Sequence, residues 1–365
     1  MPKAAALDLR QQVGQLLIMG FDGLAVDSKL RTTLASLEPG GVILFARNIE
    51  SAQQTWSLLR DCQATARLPM FLCVDMEGGT VDRLKNVIAP APPAEKVFAT
   101  GNSRLFRMHG NIIGLEVRAL GFNTDFAPVL DLGLEASRSV LTSRTVSADP
   151  NQVVRYAREF LRGLKPTKVL GCGKHFPGLG EANLDTHKDL PAVKKSWKKM
   201  WAEDLLPYRQ LHRQLPFVMV AHAYYPQITK DKLPASLSRK WMTDILRKKM
   251  GYRGLIVSDD LEMGGVLAAG SIEDVAVETI RAGADIFLVC HNQELVWRGY
   301  EAVLREAEKN RKFATQVAQA AARILNFKRR SRELHYFTAK PKQSVIKTLK
   351  KIMQDYSQVI EEHQA

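Results

Sequence analysis

Apolar runs of strand length recur along the chain, with amphipathic segments between them. They cover Leu16 to Gly20, Gly41 to Phe45, Met70 to Val74, Thr124 to Leu130, Val169 to Gly173, Phe217 to Ala221, Leu255 to Ser258 and Ile286 to Cys290. Most are apolar at every position rather than at alternate ones, the pattern of strands covered on both faces. Between them, stretches such as Arg104 to Leu120 and Ser271 to Ala282 carry apolar residues at helical spacing with charges opposite. Eight βα units predict an α/β fold closed into a single (β/α)8 TIM-type barrel over residues 1–330, with an eight-stranded doubly wound sheet as the alternative.

Beyond residue 330 the pattern changes. Val345, Ile346, Leu349, Ile352, Met353, Tyr356, Val359 and Ile360 fall on one face of a helix, and lysines occupy the other. Residues 331–365 are therefore expected to form a basic, helical C-terminal extension. It either packs on the barrel or meets a partner or membrane surface.

Polar residues follow most of the apolar runs. Asp75 and Glu77-Gly78-Gly79 follow the third, Asp131 the fourth, Lys174-His175 the fifth, His222 the sixth, Asp259-Asp260 the seventh and His291-Asn292 the eighth. In a barrel all of these converge on the C-terminal rim, where active sites are built.

Composition narrows the setting. The 365 residues are 45% hydrophobic and 25% charged, ordinary for a soluble globular protein. No stretch approaches the roughly 18 apolar residues of a membrane span, and Met1 to Gly20 has no signal-peptide pattern. Cys62, Cys73, Cys172 and Cys290 lack Cys-x-x-Cys spacing and read as reduced, mostly buried thiols, which favours a cytoplasmic protein. The formal charge of +14 draws heavily on the tail, and no nucleic-acid-binding signature accompanies it, so nucleic acid is not an expected partner. Nothing in the sequence sets the oligomeric state.

The stretch with the most chemistry runs from Gly171-Cys172-Gly173-Lys174-His175-Phe176-Pro177-Gly178 to Leu184-Asp185-Thr186-His187. Its glycines and prolines predict a strand end opening into a long loop. An Asp two residues from a His can accept its Nδ1–H and raise its basicity, which suits a general acid/base. After the seventh strand a carboxylate can serve as a nucleophile or a metal ligand; Asp259, closer to the strand end, is the better nucleophile candidate, while Asp260 is expected to cap the next helix.

These stretches together resemble glycoside hydrolase family 3, in its bacterial β-N-acetylglucosaminidase (NagZ-type) subgroup. The resemblance rests on Gly41 to Asn48, Val74 to Gly79, Phe126 to Asp131, Lys174 to Gly178, Asp185 to His187, Pro234 to Ser238 and Ser258 to Leu261, which run in family order. It implies a retaining β-N-acetylhexosaminidase acting on a carbohydrate substrate, with no cofactor and no metal. Asp259 matches the nucleophile, His187 the acid/base and Asp185 its partner. Asp75, Arg83, Arg144, Lys174 and His175 match residues that bind N-acetylglucosamine, and His222 is assigned to the same subsite. The pathway implied is cell-wall recycling, with peptidoglycan fragments as substrate. Two departures concern loop positioning and acceptor specificity: Leu179 stands where the family often has His, and Arg144-Thr145-Val146 where Arg-Ser-Phe is commoner.

Other readings compete. One is a metallohydrolase with an ion on His175, Asp185, His187, His222 and Asp259. A second is a non-catalytic muropeptide-binding protein. A third is a β-glycosidase or glycoside phosphorylase with another sugar or acceptor preference.

Overall fold

The computed structural model describes residues 7–182, 190–230 and 232–364. Eight parallel strands close into a barrel: β1 (Leu17–Met19), β2 (Gly41–Ile43), β3 (Phe71–Val74), β6 (Thr124–Asp125), β7 (Leu170–Phe176), β8 (Phe217–Val220), β9 (Leu255–Asp260) and β10 (Ile286–Val289). A short antiparallel hairpin of β4 (Met76–Gly78) and β5 (Val81–Asp82) leaves the top of β3. Chain order is kept around the ring, and β1 pairs with β10 to seal it (Leu17 to Phe287, Met19 to Val289). The strand residues are buried almost throughout, between the barrel interior and the helices outside, which accounts for their uninterrupted apolar runs.

All eight expected strands are present, with shifted ends. The fourth is much shorter than the Thr124 to Leu130 run, because Pro128 has no N–H for the ladder. Single contacts continue its path, with Leu130 N–H donating to the Lys174 carbonyl at 2.6 Å. The fifth is longer: Lys174 and His175 belong to strand β7 rather than to a loop. The Lys174–His175 peptide is cis, as are Ala127–Pro128 and Phe176–Pro177.

At the opposite, N-terminal end of the barrel, polar side chains hold backbone in place. The carboxylate of Asp285 accepts from Ile256 N–H at 2.7 Å and from Arg323 at 2.5 Å, and it also meets Arg247. Lys328, on the helix Arg311–Arg330, is fully buried and donates to Gln15 Oε1 and the Gly40 carbonyl, both at 2.8 Å. Burial lowers its pKa to about 7. The native state therefore binds fewer protons than the unfolded chain between pH ~7 and ~10.4, and stability rises with pH across that window. Lys328→Met removes this titration. Urea unfolding at pH 6 and pH 9 is expected to show the variant losing about 2–3 kcal/mol relative to wild type over that range. A pH-independent difference would refute the assignment.

The C-terminal extension is a helix, Gln343–Glu362, and it packs on the barrel. Leu349, Met353, Tyr356 and Ile360 are buried, and Lys347, Lys350 and Lys351 face out. Tyr356 OH donates to the Leu105 carbonyl at 2.9 Å, and its ring stacks on His109 at 5.9 Å. The segment leading to this helix is also tied down, Trp56 Nε1–H donating to the Thr338 carbonyl at 2.9 Å. No helix among the described residues is long and apolar enough to cross a membrane.

Candidate active site

At the C-terminal rim the strands surround a cavity of about 260 Å³. Asp75, Glu77, Arg83, Arg144, Lys174, His175, Asp259 and Asp260 reach its wall, with Phe45, Phe126, Leu141, Leu179 and Met263 among the apolar residues between them. Asp75 follows β3 directly, Glu77 is carried inward by the β4–β5 hairpin, and Lys174 and His175 are consecutive on β7. Gly78 makes the hairpin possible: its φ is +87°, and a Cβ there would run into the Pro92 carbonyl oxygen.

The charged groups form one chain of contacts. Lys174 Nζ donates to Asp75 Oδ1 at 2.8 Å and to Glu77 Oε1 at 2.5 Å. Arg144 donates to both oxygens of Glu77, at 2.8 and 2.9 Å, a bidentate pairing. Its Nη2 also lies 3.3 Å from His175 Nε2, and His175 Nδ1 lies 2.7 Å from Asp131 Oδ2. Burial works against the Glu77 anion, yet Arg144 and Lys174 hold its carboxyl well below the ordinary value. For the two cations, too, burial is outweighed: Asp75 and Glu77 push Lys174 up, and Glu77 pushes Arg144 up. Glu77, Lys174 and Arg144 are therefore all charged at neutral pH. Arg83 stands apart, its guanidinium 5.6 Å from the Phe45 ring centre and its buried Nε without a partner among the described residues.

Asp259 faces this network from β9. Burial would raise its pKa, but the imidazoles of His175 and His222, the Asp260 N–H at 2.9 Å and Lys174 bring it below the ordinary value. A carboxylate kept ionised in a pocket rich in donors is equipped to attack an electrophilic carbon. Asp260 does not cap a helix. Its Oδ1 accepts from Glu262 N–H and Cys290 N–H at 3.1 and 3.2 Å, so it joins the ends of β9 and β10. The next helix, Gly264–Leu267, has no side-chain cap. Burial raises the Asp260 carboxyl to about 7, with Glu262 and Asp259 adding to the shift.

The remaining residues singled out in the sequence divide. His222 is fully buried behind Asp259, its Nδ1 2.7 Å from Ser236 Oγ and its Nε2 2.9 Å from the Asp260 carbonyl oxygen. Its ring supports the backbone of β9 and is not among the residues that line the cavity. Asp185 and His187 lie outside the described residues. Leu179, at one of the two departures, is buried in the cavity wall and donates its N–H to Asp131 Oδ1 at 2.8 Å. Two residues noted only for their rim position prove central, Glu77 as the hub of the network and Asp131 behind it. The signal for Glu77 was arithmetic: Lys174, Arg144 and Arg83 were set against Asp75 alone. Both described histidines of the metallohydrolase reading have both ring nitrogens engaged by protein groups.

Comparison with known proteins agrees with this fold. The model of the glycosyl hydrolase family 3 N-terminal domain matches residues 8–327. A β-hexosaminidase of Tolumonas auensis is 36% identical over 281 residues, covering 76% of this chain and 83% of that protein. One from Bordetella avium is 39% identical over 264 residues, covering 70% and 75%. Among solved structures, a glycoside hydrolase family 3 β-N-acetylglucosaminidase from Paenibacillus superposes with a TM-score of 0.90 at 32% identity, covering 96% of this chain and 69% of that one. A β-N-acetylhexosaminidase from Beutenbergia cavernae gives 0.81 at 27% identity, covering 89% and 99%. With the match extending over nearly the whole barrel, this chain belongs to glycosyl hydrolase family 3.

Proposed function

We propose that the chain is a retaining exo-β-N-acetylglucosaminidase that removes terminal β-linked N-acetylglucosamine. The observation that carries this reading is the placement of Asp259, ionised in a sugar-sized cavity, opposite the Asp75–Lys174–Glu77–Arg144–His175 network. Asp259 attacks the anomeric carbon and forms a covalent glycosyl–enzyme, while the leaving oxygen takes a proton from His187. In the second step His187 accepts a proton from water, and the oxygen of that water displaces Asp259 with net retention. Asp185 would accept Nδ1–H of His187 and raise its basicity. Asp75, Lys174 and Arg83 would bind sugar hydroxyls or the acetamido group, with acceptors and donors suited to both.

The natural substrate proposed is the N-acetylglucosaminyl-anhydro-N-acetylmuramyl peptide released during peptidoglycan turnover, handled in the cytoplasm. The related β-hexosaminidases and the Paenibacillus β-N-acetylglucosaminidase support the sugar, and the pathway rests on the resemblance to the NagZ-type subgroup.

The test is turnover of 4-nitrophenyl β-N-acetylglucosaminide against the matching β-glucoside, with EDTA present and absent. The acetamido sugar is expected to be the better substrate by at least about tenfold, consistent with loss of one or two hydrogen bonds in the glucoside. EDTA should change neither rate. Equal rates, or a preference for glucoside, would move the assignment to a β-glucosidase. His187→Ala should cost roughly tenfold on the nitrophenyl leaving group and roughly a thousandfold on an N-acetylglucosamine disaccharide, whose leaving oxygen needs the proton. Equal losses on the two would remove His187 from the acid role.

A further inference from the structure

Asp131 serves three N–H groups with one carboxylate. Its Oδ2 lies 2.7 Å from His175 Nδ1 and 3.2 Å from the His175 backbone nitrogen, and its Oδ1 accepts from Leu179 N–H at 2.8 Å. The side chain is buried and does not reach the cavity, whereas His175 and Leu179 both line it. Whatever Asp131 does for a ligand therefore passes through those two residues.

Both Asp131 oxygens already accept from backbone N–H groups, of Leu179 and of His175, so the hydrogen in the Asp131–His175 contact is assigned to Nδ1. At the other end of the ring, His175 Nε2 is 3.3 Å from Arg144 Nη2, a group that can only donate. Both contacts select the same tautomer, with Nδ1 protonated and Nε2 carrying the lone pair. Arg144 cannot turn away to relieve this arrangement, because Glu77 grips it through two bonds.

We propose that Asp131 is a positioning residue for the sugar site, holding His175 as the Nδ1–H tautomer so that Nε2 accepts from Arg144 and fixes that guanidinium at the cavity wall. Through Leu179 the same carboxylate fixes the adjoining stretch of wall. The inference rests on the reading that this cavity holds a sugar. It adds that His175 shapes the site through Arg144, whose donation occupies the one lone pair on Nε2.

Two measurements test it. In ¹⁵N-histidine-labelled wild type, with His175 assigned by the signal lost in His175→Ala, the ring is expected as the Nδ1–H form. Kinetically, Asp131→Asn should lower kcat/KM on 4-nitrophenyl β-N-acetylglucosaminide by about tenfold to a hundredfold, mainly through KM. In a His175→Ala background the same substitution should cost less than about threefold, because the group it acts through is gone. An Nε2–H ring in wild type, or equal losses in the two backgrounds, would overturn the proposal. If Asp131→Asn does not fold, the wild-type tautomer decides alone. If wild type fails to turn over the glycoside, the sugar reading falls, while the tautomer still tests what Asp131 does to His175.

Discussion

Asp259→Ala is expected to lower kcat/KM on 4-nitrophenyl β-N-acetylglucosaminide by roughly 10⁴- to 10⁵-fold, about 5.5–7 kcal/mol of transition-state stabilisation. The magnitude follows from the double role of the group. On the proposed mechanism its negative charge would face the positive charge developing on the sugar ring, and afterwards one of its oxygens would be bonded to the anomeric carbon. No other described carboxylate is equipped to replace it: Asp75 and Glu77 are held by Lys174 and Arg144, and Asp260 is tied to the backbone of Glu262 and Cys290. Its fold should survive, since among the described residues the Asp259 carboxylate accepts a hydrogen bond only from the next residue's N–H. Added azide provides a direct check. It fits the space left by the carboxylate and attacks the anomeric carbon from the same side, expelling nitrophenolate and giving the α-glycosyl azide. Residual hydrolysis within about a hundredfold of wild type, with no azide product, would remove Asp259 from the nucleophile role.

The second large effect concerns a residue with no bond-making role. Glu77→Gln should reduce stability by about 3–5 kcal/mol and kcat/KM by roughly a hundredfold or more. Glu77 and Lys174 side chains are only 4% and 3% exposed, so water cannot replace the lost charge. An amide oxygen can accept from Arg144 or from Lys174, but its NH2 then points at the other cation. Lys174 is left to Asp75, and Arg144 is freed to swing toward the carboxylates that should face the sugar. The pH dependence separates this from generic damage. Because the folded-state pKa of Glu77 lies below its unfolded value, its contribution is fully present above pH ~4.3 and is lost as pH falls toward the lowered value. Denaturation curves of wild type and variant should therefore draw together in acid. A gap of constant size from pH 7 to pH 3 would show that the Glu77 charge is not what stabilises the site.

How far the sequence leads differs between the strands and the site. The eight runs mark the strands because a parallel strand enclosed on both faces must be apolar at successive positions, and that pattern survives without any knowledge of pairing. The rim residues follow from the same logic, each sitting where a strand runs out. Errors arise where the controlling contact is distant. Lys174 and His175 look like loop residues beside glycines and prolines, yet the barrel pairing with β8 carries the strand through to Phe176. Asp260 looks like a helix cap because its local sequence suits one, but Cys290 N–H, supplied by the neighbouring strand, claims its carboxylate. His222 has the residue type of a ligand-binding group, and its ring nitrogens are engaged by Ser236 and the Asp260 carbonyl. For Glu77, Arg144 and Lys174, separate stretches show the charges but not the stoichiometry, which emerges only when the β4–β5 hairpin, the turn Thr142–Arg144 and β7 meet. The tail's buried face was visible in its spacing; its partner, the helix Ser103–Ala119, was not.

The pairing of β1 with β10, and of Lys328 with backbone near β1 and β2, has a consequence for how the molecule is made. The first strand synthesised finds one of its two neighbours only when almost the whole barrel has left the ribosome. Until then β1 is an edge with free N–H and C=O groups, open to pairing with another nascent chain. Such a contact order implies slow final closure, and a translation pause before residue 286 would prolong the exposed interval. Expression at lower temperature, or with a chaperone that shields nascent edges, should raise the soluble yield more than any change made at the rim.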